Sequence, residues 1–424
     1  MTVRVPARGR VLIVLEQRFE RTSDGAIWGP GTAGPSFWAR YLEVFDRVTV
    51  VARVQDVSAR SDQLERCNSR DVIFEPVRYY IGPWGFLKQR HAIRTVAIGA
   101  LDATCSVILR VPSPIASCLV PHLRRLQKPY AVEVIGDPYD VMSAGAVTHP
   151  LRRLFRSVLT TQLRRDCAGA AAAAYVTEYA LQQRYPCSGH SVNVSDVELA
   201  SINGDVAEVF TTHYSSVALT GCLEEPRSYE GRPAGKTRIV TVGSLAQMYK
   251  GIDVLIDAVA KCVSNNLDLV LVIVGDGKCR RELEARAAAR GICDRVKFTG
   301  YQKRDGVTSE LDAADIFVLP SRCEGLPRAL IEAMARAVPC IASNIGGIPE
   351  LLPAIDLVAP GDVDELVAVL SAVVLDVNRR AEMSRRNLRR AHDYLDFKLD
   401  GRRTAFYRHV RAGTEDWVAS QYAS

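Results

Sequence analysis

The sequence predicts two doubly wound α/β domains followed by a terminal helix, and three observations carry that prediction. Short β-branched runs alternate with helix-length segments, the rhythm breaks at a polar stretch near the middle, and it then restarts. The second half contains runs that are apolar without interruption, such as LVLVIV at residues 269–274. A strand covered by helices on both faces has no polar side, so doubly wound parallel sheets require such runs. Alternation sustained this long is the pattern of that architecture.

In the first half, strands are expected at Val11–Leu15, Val48–Ala52, Val72–Phe74, Val107–Leu109, Tyr130–Val134 and Ala173–Val176. Helices are expected between them over Ser36–Val44, Phe86–Ala100, Ile115–Leu126 and Leu151–Cys167. The second half gives strands at Arg238–Val242, Leu269–Val274, Val296–Phe298, Ile316–Leu319 and Pro339–Ala342, with helices near Asp253–Val263, Arg280–Arg290 and Pro327–Ala337. The polar stretch EEPRSYEGRPAGK, Glu224 to Lys236, lies at or just after the interdomain connection. After Asp393 a mixed polar and aromatic segment (Tyr394, Phe397, Phe406, Tyr407, Val410) has no strand behind it, as a helix packing back across both domains would. The expected division is 1–215, 216–390 and 391–424.

Length and composition set the outer bounds. At 424 residues the chain is about three times a typical domain of roughly 150. Its 48% hydrophobic and 24% charged residues exclude overall disorder. With 54 Lys and Arg against 48 Asp and Glu, the net charge of +6 gives no support to nucleic-acid binding. The cysteine count of 11 is odd and no C-x-x-C pair occurs, so reduced thiols in a cytoplasmic protein are expected. No apolar run is long enough for a membrane span, which leaves a soluble or membrane-peripheral protein as the expectation.

The most informative stretch is SRCEGLPRALIEAMARAVPCIASNIGGIPE, Ser321 to Glu350. A strand ends at Pro320, a polar loop follows, and Pro327 sits where a first helical residue belongs. The free amides and dipole of that helix N-terminus make an anion site outside the carboxyl end of a parallel strand. Glu324 precedes it, and Glu332 lies about 7.5 Å into the helix at roughly 1.5 Å per residue. An anion cradle between two carboxylates suits a diphosphate joining two sugar-like rings, because a carboxylate accepts hydrogen bonds from sugar hydroxyls. A solvated loop carboxylate and an ordinary helix glutamate remain the alternative, weakened by Gly325, Pro327 and the Gly346–Gly347 turn.

Glu324 and Glu332 stand as E-x7-E within a segment that resembles the signature of the retaining glycosyltransferases of family 4, which have the GT-B fold. The similarity extends to VTVGSLAQMYKG (Val240–Gly251), VIVGDGKCRRELE (Val272–Glu284) and VKFTGY (Val296–Tyr301). The resemblance implies two Rossmann-like domains facing a cleft, a C-terminal helix crossing back to the first, and metal-independent transfer from a nucleotide-diphosphate sugar, UDP-linked by preference. It implies that Glu324 contacts the donor sugar and Glu332 the nucleotide ribose. It also implies that Lys250 holds the diphosphate, while Ser244 stands where the family carries an arginine. A serine brings neither charge nor a bidentate fork. A charged contact near 4 Å is worth about 4 kcal/mol at an effective dielectric of 20, so the replacement matters. Arg328 is the first candidate to substitute.

Around these residues, Gly243, Gly325, Leu326 and Pro327 belong to the expected donor loops. Gly275 and Gly277 of VGDG would let backbone approach the nucleotide, with Gly300 and Tyr301 near the base; plain strand-to-helix turns would also account for the glycines.

In the first half, GPGTAG (Gly29–Gly34) satisfies G-x-G-x-x-G in a poor context, because the next strand ends in Arg53 and not in an acidic residue. Gly31 and Gly34 could instead face the donor and acceptor across the cleft, and a simple flexible loop is as good a reading. Arg110 is read as lying just beyond a strand, facing an acidic or phosphate-bearing acceptor. Asp137 is a candidate to orient an acceptor hydroxyl; a helix cap or a salt bridge is an equal alternative for both. The basic and aromatic stretch Arg78–Arg94 and the helix Leu151–Arg165 fit a membrane surface or, more ordinarily, a helix packed on its own sheet. Asp362-x-Asp364 reads as helix capping and not as a metal site.

The resulting expectation is a glycosyltransferase that moves a sugar to a hydroxyl acceptor, a lipid-linked or polysaccharide intermediate, in polysaccharide or glycolipid synthesis at the inner membrane face. A non-catalytic nucleotide-sugar-binding subunit would explain Ser244. A nicotinamide-dependent oxidoreductase would explain GPGTAG but not EGLPRALIE.

Overall fold

The computed structural model describes all residues except 1–8, 62–63, 143–148, 189–209, 214–218, 220, 230–235 and 424. The expected boundary at 215/216 and part of the expected connection fall outside the described residues.

The first domain is built on one sheet. Its strands are β1 (Arg10–Arg21), β2 (Ile27–Gly29), β3 (Arg47–Asp56), β4 (Glu65–Arg66), β5 (Val72–Arg78), β6 (Ser106–Val111), β7 (Ala131–Val134), β8 (Ala172–Tyr175) and β9 (Phe210–His213). The parallel body runs β5-β3-β1-β6-β7-β8-β9, and β2 and β4 extend the far end of β1 as an antiparallel flap. Helices α1 (Pro35–Leu42), α2 (Gly82–Gly99), α3 (Pro114–Arg125), α4 (Pro138–Val141), α5 (Arg152–Ala168) and α6 (Ala180–Arg184) connect them. One face of the sheet packs Ile93, Ile115, Leu119 and Leu163 of α2, α3 and α5.

The second sheet is wholly parallel: β10 (Thr237–Val242), β11 (Leu269–Val274), β12 (Val296–Gly300), β13 (Ile316–Leu319), β14 (Cys340–Ser343) and β15 (Leu357–Val358), in the order β12-β11-β10-β13-β14-β15. Its helices are α7 (Ile252–Ser264), α8 (Arg280–Ala289), α9 (Arg304–Asp312), α10 (Arg328–Ala335), α11 (Val363–Leu375) and α12 (Val377–Ala391). Burial explains the unbroken strand sequence, since LVLVIV feeds both cores: Val272 and Val274 face one side, and Leu269, Leu271 and Ile273 the other. Strand order reverses between β10 and β13, so the loops leaving those two strands part and open a crevice.

The terminal helix α13 (Asp396–Ala423) returns to the first domain. Its Phe406, Tyr407 and Val410 complete the other core of the first sheet with Trp38, Tyr41 and Phe45. Tyr407 also donates to the buried Glu133 carboxylate at 3.0 Å. Phe397 of the same helix is 71% exposed. Among the described residues, no helix is long and apolar enough to cross a membrane.

Two sequence readings need correction here. Pro327 is the residue before α10 and not its first: ψ of 118° is extended, and the helix begins at Arg328. Arg110 lies inside β6 rather than beyond it. It is 8% exposed, ion-paired with Glu133 on the adjacent strand, and donates to the Tyr41 hydroxyl at 3.2 Å. Its charge is spent on the bond between sheet and terminal helix.

Candidate active site

The loops leaving β10 and β13, with the N-terminus of α10, surround a cavity of about 830 Å³. Lys250 reaches it because the loop after β10 ends in a single 3-10 turn, Met248–Lys250, closed by Gly251 at φ 68°. A Cβ at Gly251 would overlap the Pro320 carbonyl, so glycine lets this loop lie against the one leaving β13. Lys250 Nζ stands 2.6 Å from Glu324 Oε1, and the Ser321 hydroxyl donates to that same oxygen at 2.7 Å. Glu324 is 9% exposed. Arg322 anchors the loop from outside through a two-pronged pair with Asp253, at 2.8 and 2.7 Å.

Of the donor-site residues read from sequence, Gly243, Ser244, Lys250, Glu324, Leu326, Pro327, Arg328 and Glu332 all line this cavity. Arg328 and Glu332 are one helical turn apart and approach at 3.4 Å. Ser244 accepts from the Ala246 amide at 3.2 Å and so shapes its own loop. Arg304, the first residue of α9, also lines the cavity. Sequence reasoning missed it, since nothing local marks a helix-initial arginine as cavity-facing.

Gly275, Gly277, Gly300, Tyr301 and Gly325 do not line the cavity. Gly275 and Gly277 have φ of 142° and 156°, and a Cβ on either would overlap backbone of the 243–246 loop. Their role is to let two backbones touch: Leu245 N donates to Asp276 O at 2.9 Å, and Gly275 N to Gly300 O at 2.9 Å. Gly325 N-terminally adjoins the cavity residues but instead accepts, through its carbonyl, from Gly347 N at 2.7 Å. Tyr301 is 60% exposed at the surface.

The first-domain candidates fare differently. Asp137 caps α4 by accepting from Tyr139 N at 2.8 Å, is ion-paired with Arg184, and accepts from the Tyr185 hydroxyl at 2.5 Å. The capping and salt-bridge alternatives both hold: Oδ1 accepts from Tyr139 N and the Tyr185 hydroxyl, Oδ2 is paired with Arg184, and the residue is 5% exposed. Its neighbour Asp140 has a pKa raised by burial and by the Asp137 charge. Gly31 sits in a 3-10 turn and Gly34 precedes α1, and the Glu65 carboxylate lies where a Cβ on either would go. Asp362 caps α11 through the Glu365 amide at 2.9 Å, and Asp364 pairs with Lys261 at 2.5 Å. That pair serves the helix, as read from sequence.

A second cavity of about 830 Å³ lies beside α12. Two of its arginines are committed inward, Arg379 and Arg386 both pairing with the fully buried Asp356.

The comparisons with known proteins agree with this geometry. Residues 224–390 match the family model of the glycosyl transferases group 1. Protein CapJ of Staphylococcus aureus is 26% identical over 352 residues, covering 81% of this chain and 82% of that protein. A GDP-mannose-dependent monoacylated α-(1-6)-phosphatidylinositol monomannoside mannosyltransferase of Corynebacterium glutamicum is 38% identical over 156 residues, but this match spans only 35% of the chain and 40% of that enzyme. Among solved structures, HepE of Anabaena in complex with UDP has a TM-score of 0.58 at 15% identity, covering 96% of this chain and 99% of that one. Two parallel-sheet domains, a crevice at the strand-order reversal and a terminal helix returning to the first domain are the GT-B architecture. The match to the glycosyl transferases group 1 lies in the second domain, at residues 224–390, and the fold around it is GT-B.

Proposed function

We propose that this glycosyltransferase moves a sugar, with retention of configuration, from a UDP-sugar to a hydroxyl acceptor that is lipid-linked, in polysaccharide or glycolipid synthesis. The observation that carries the reading is the convergence of Lys250, Glu324 and the α10 N-terminus on one cavity. The diphosphate rests between Lys250 and the first amides of α10, where the helix dipole and the ammonium stabilise the charge that develops as the sugar departs. Arg328 supplies the second cation that Ser244 lacks, so no metal is required. Glu324 holds the sugar and Glu332 the ribose. Asp137 acts at the acceptor side only through Arg184 and Tyr185. The UDP preference is supported by HepE, solved with UDP.

A lipid-linked acceptor at the cytoplasmic membrane face is supported by two segments on the same face of the first sheet. Residues 76–101 hold Arg78, Lys88, Arg90 and Arg94, and residues 149–165 hold Arg152, Arg153, Arg156, Arg164 and Arg165, with no acidic residue in either segment. These nine cations compare with a whole-chain net charge of +6. Ile81, Trp84 and Leu87 are 67, 70 and 54% exposed, and Leu154 and Val158 are 56 and 55% exposed. Helices α2 and α5 therefore bury only their later residues on the sheet and present apolar side chains among cations, as a helix resting on anionic lipid does.

A thermal-shift panel of nucleotide sugars tests the donor, because a ligand of the folded state raises apparent stability. UDP-sugars should shift the transition, and Glu324→Ala should abolish transfer at saturating donor. A UDP-sugar shift with transfer unchanged by Glu324→Ala would leave Glu324 without a role in turnover. Binding with no transfer to any acceptor extract would favour the non-catalytic subunit that Ser244 suggests.

A further inference from the structure

The Glu350 carboxylate crosses from the second domain to the first. It accepts three backbone amides there: Glu178 N at 2.6 Å, Tyr179 N at 2.9 Å and Ala180 N at 2.7 Å. These are the free amides that open α6, which an acid matches in charge and geometry. Arg390 braces the same junction by donating to Glu178 at 2.8 Å and to the Glu350 carbonyl at 3.2 Å.

On its own side, Glu350 ends a 3-10 turn that starts at Ile348 and follows Gly346–Gly347. A Cβ at Gly346, at φ 57°, would overlap the Glu324 carbonyl. Gly347 N donates to Gly325 O at 2.7 Å, and a Cβ at Gly347 would come within 2.9 Å of Thr177 Cγ2 in the first domain. On the other side, α6 carries Arg184, which pairs with Asp137 and Asp140. The loop leading to Asp137 meets Gly325 in turn, with Ile135 O 3.8 Å from where a Gly325 Cβ would be. The contacts form a closed ring: Glu350, α6, Arg184, Asp137, Ile135, Gly325, Gly347 and back.

We infer that Glu350 is a positioning residue, a clamp that fixes the first domain against the Glu324–Gly325 loop and so aligns donor sugar and acceptor for transfer. It acts through the α6 amides and touches neither substrate. The inference rests on the reading of Glu324 given above. Donor groups lie on the second domain, so losing the clamp should spare donor binding and misplace the two reactants. A displacement of about 1 Å costs as much as 10²-fold in rate.

The test uses the full-length protein with Glu350→Ala and Glu350→Gln. The first should lower kcat by roughly 10- to 100-fold with donor KM and the donor thermal shift within about twofold. The second keeps one accepting oxygen and should recover part of kcat. Hydrogen exchange without donor should show amides 178–180 losing protection in Glu350→Ala while β10 and β13 stay protected. That readout stands even if Glu324 proves to have no part in transfer. Unchanged kcat in Glu350→Ala, donor KM rising as kcat falls, or undiminished protection at 178–180 would each overturn the inference.

Discussion

Lys250 Nζ and Glu324 Oε1 are 2.6 Å apart, so without donor the two groups cancel each other's charge. In the proposed mechanism a diphosphate entering the cavity would compete for that ammonium and release Glu324 toward the sugar. On that proposal, removing the ammonium removes charge stabilisation at the leaving group, and it leaves a carboxylate 9% exposed with Ser321 as its side-chain partner among the described residues. Lys250→Ala should therefore lower kcat/KM by about 10²- to 10³-fold, the scale of losing one preorganised donor. Steady-state kinetics check this, and a loss below threefold would remove Lys250 from the diphosphate site.

With Ser244 uncharged, Lys250 is the one cation of the loop after β10, and Arg328 faces the same cavity from the first position of α10. Charged hydrogen bonds are worth about 1.5–3 kcal/mol, so Arg328→Ala should raise donor KM roughly 10-fold or more. Adding Ser244→Arg to that variant should restore most of the affinity. No change in KM for Arg328→Ala would put the second cation elsewhere, with Arg304 next to be examined.

The turn after β11 gives a stability test independent of chemistry. Gly277 has φ of 156°, and a Cβ there would overlap Leu245 and Ala246 backbone. Gly291 has φ of 71° with nothing within 4 Å of a Cβ. Gly291→Ala should cost only the conformational strain, about 1–2 kcal/mol. Gly277→Ala adds a backbone collision and should cost more than about 3 kcal/mol. Denaturant unfolding of the two variants side by side measures the difference, and equal losses would contradict the packing described.

Acidification should loosen the terminal helix. His409 of α13 stacks on Phe210 of β9 with centroids 4.6 Å apart, and burial lowers its pKa below 6.5. The unfolded chain then takes up the proton first as pH falls. The stability this histidine contributes is present above about pH 6.5 and is lost as pH falls through the lower folded value. Melting temperature should drop between pH 7.5 and 5.5, and His409→Phe should flatten part of that slope. An identical slope in the variant would rule the residue out.

The exposed apolar side chains of α2 and α5 carry the membrane reading. Vesicles with anionic phospholipid should bind the protein, and neutral phosphatidylcholine vesicles should bind it poorly. Trp84→Ser with Leu154→Ser should weaken binding by at least about 10-fold, from the loss of two apolar insertions of roughly 1.5–3 kcal/mol each at full burial. Equal binding by wild type and variant would reduce the surface to a simple cation patch.

What was legible in the sequence follows from how local each signal is. Strands came through because apolar runs such as 269–274 report burial on both faces directly. That Glu324, Arg328 and Glu332 share one cavity was legible because Glu324 to Glu332 is one continuous loop and helix. What stayed hidden depends on sheet order. Arg110 and Glu133 are 23 residues apart yet adjacent across β6 and β7. Glu350 meets amides about 170 residues away. Glycines were visible, but whether they make room for a ligand or for another backbone turns on which loop lies opposite, and Gly275 and Gly277 proved to be the second kind.

The most direct measurement is a structure of the protein with a UDP-sugar bound. Diphosphate oxygens are expected within about 3.2 Å of Lys250 Nζ and of the first amides of α10, with the Lys250–Glu324 contact broken and Glu332 on the ribose hydroxyls. A diphosphate seated elsewhere, with Lys250 still closed on Glu324, would contradict that expectation.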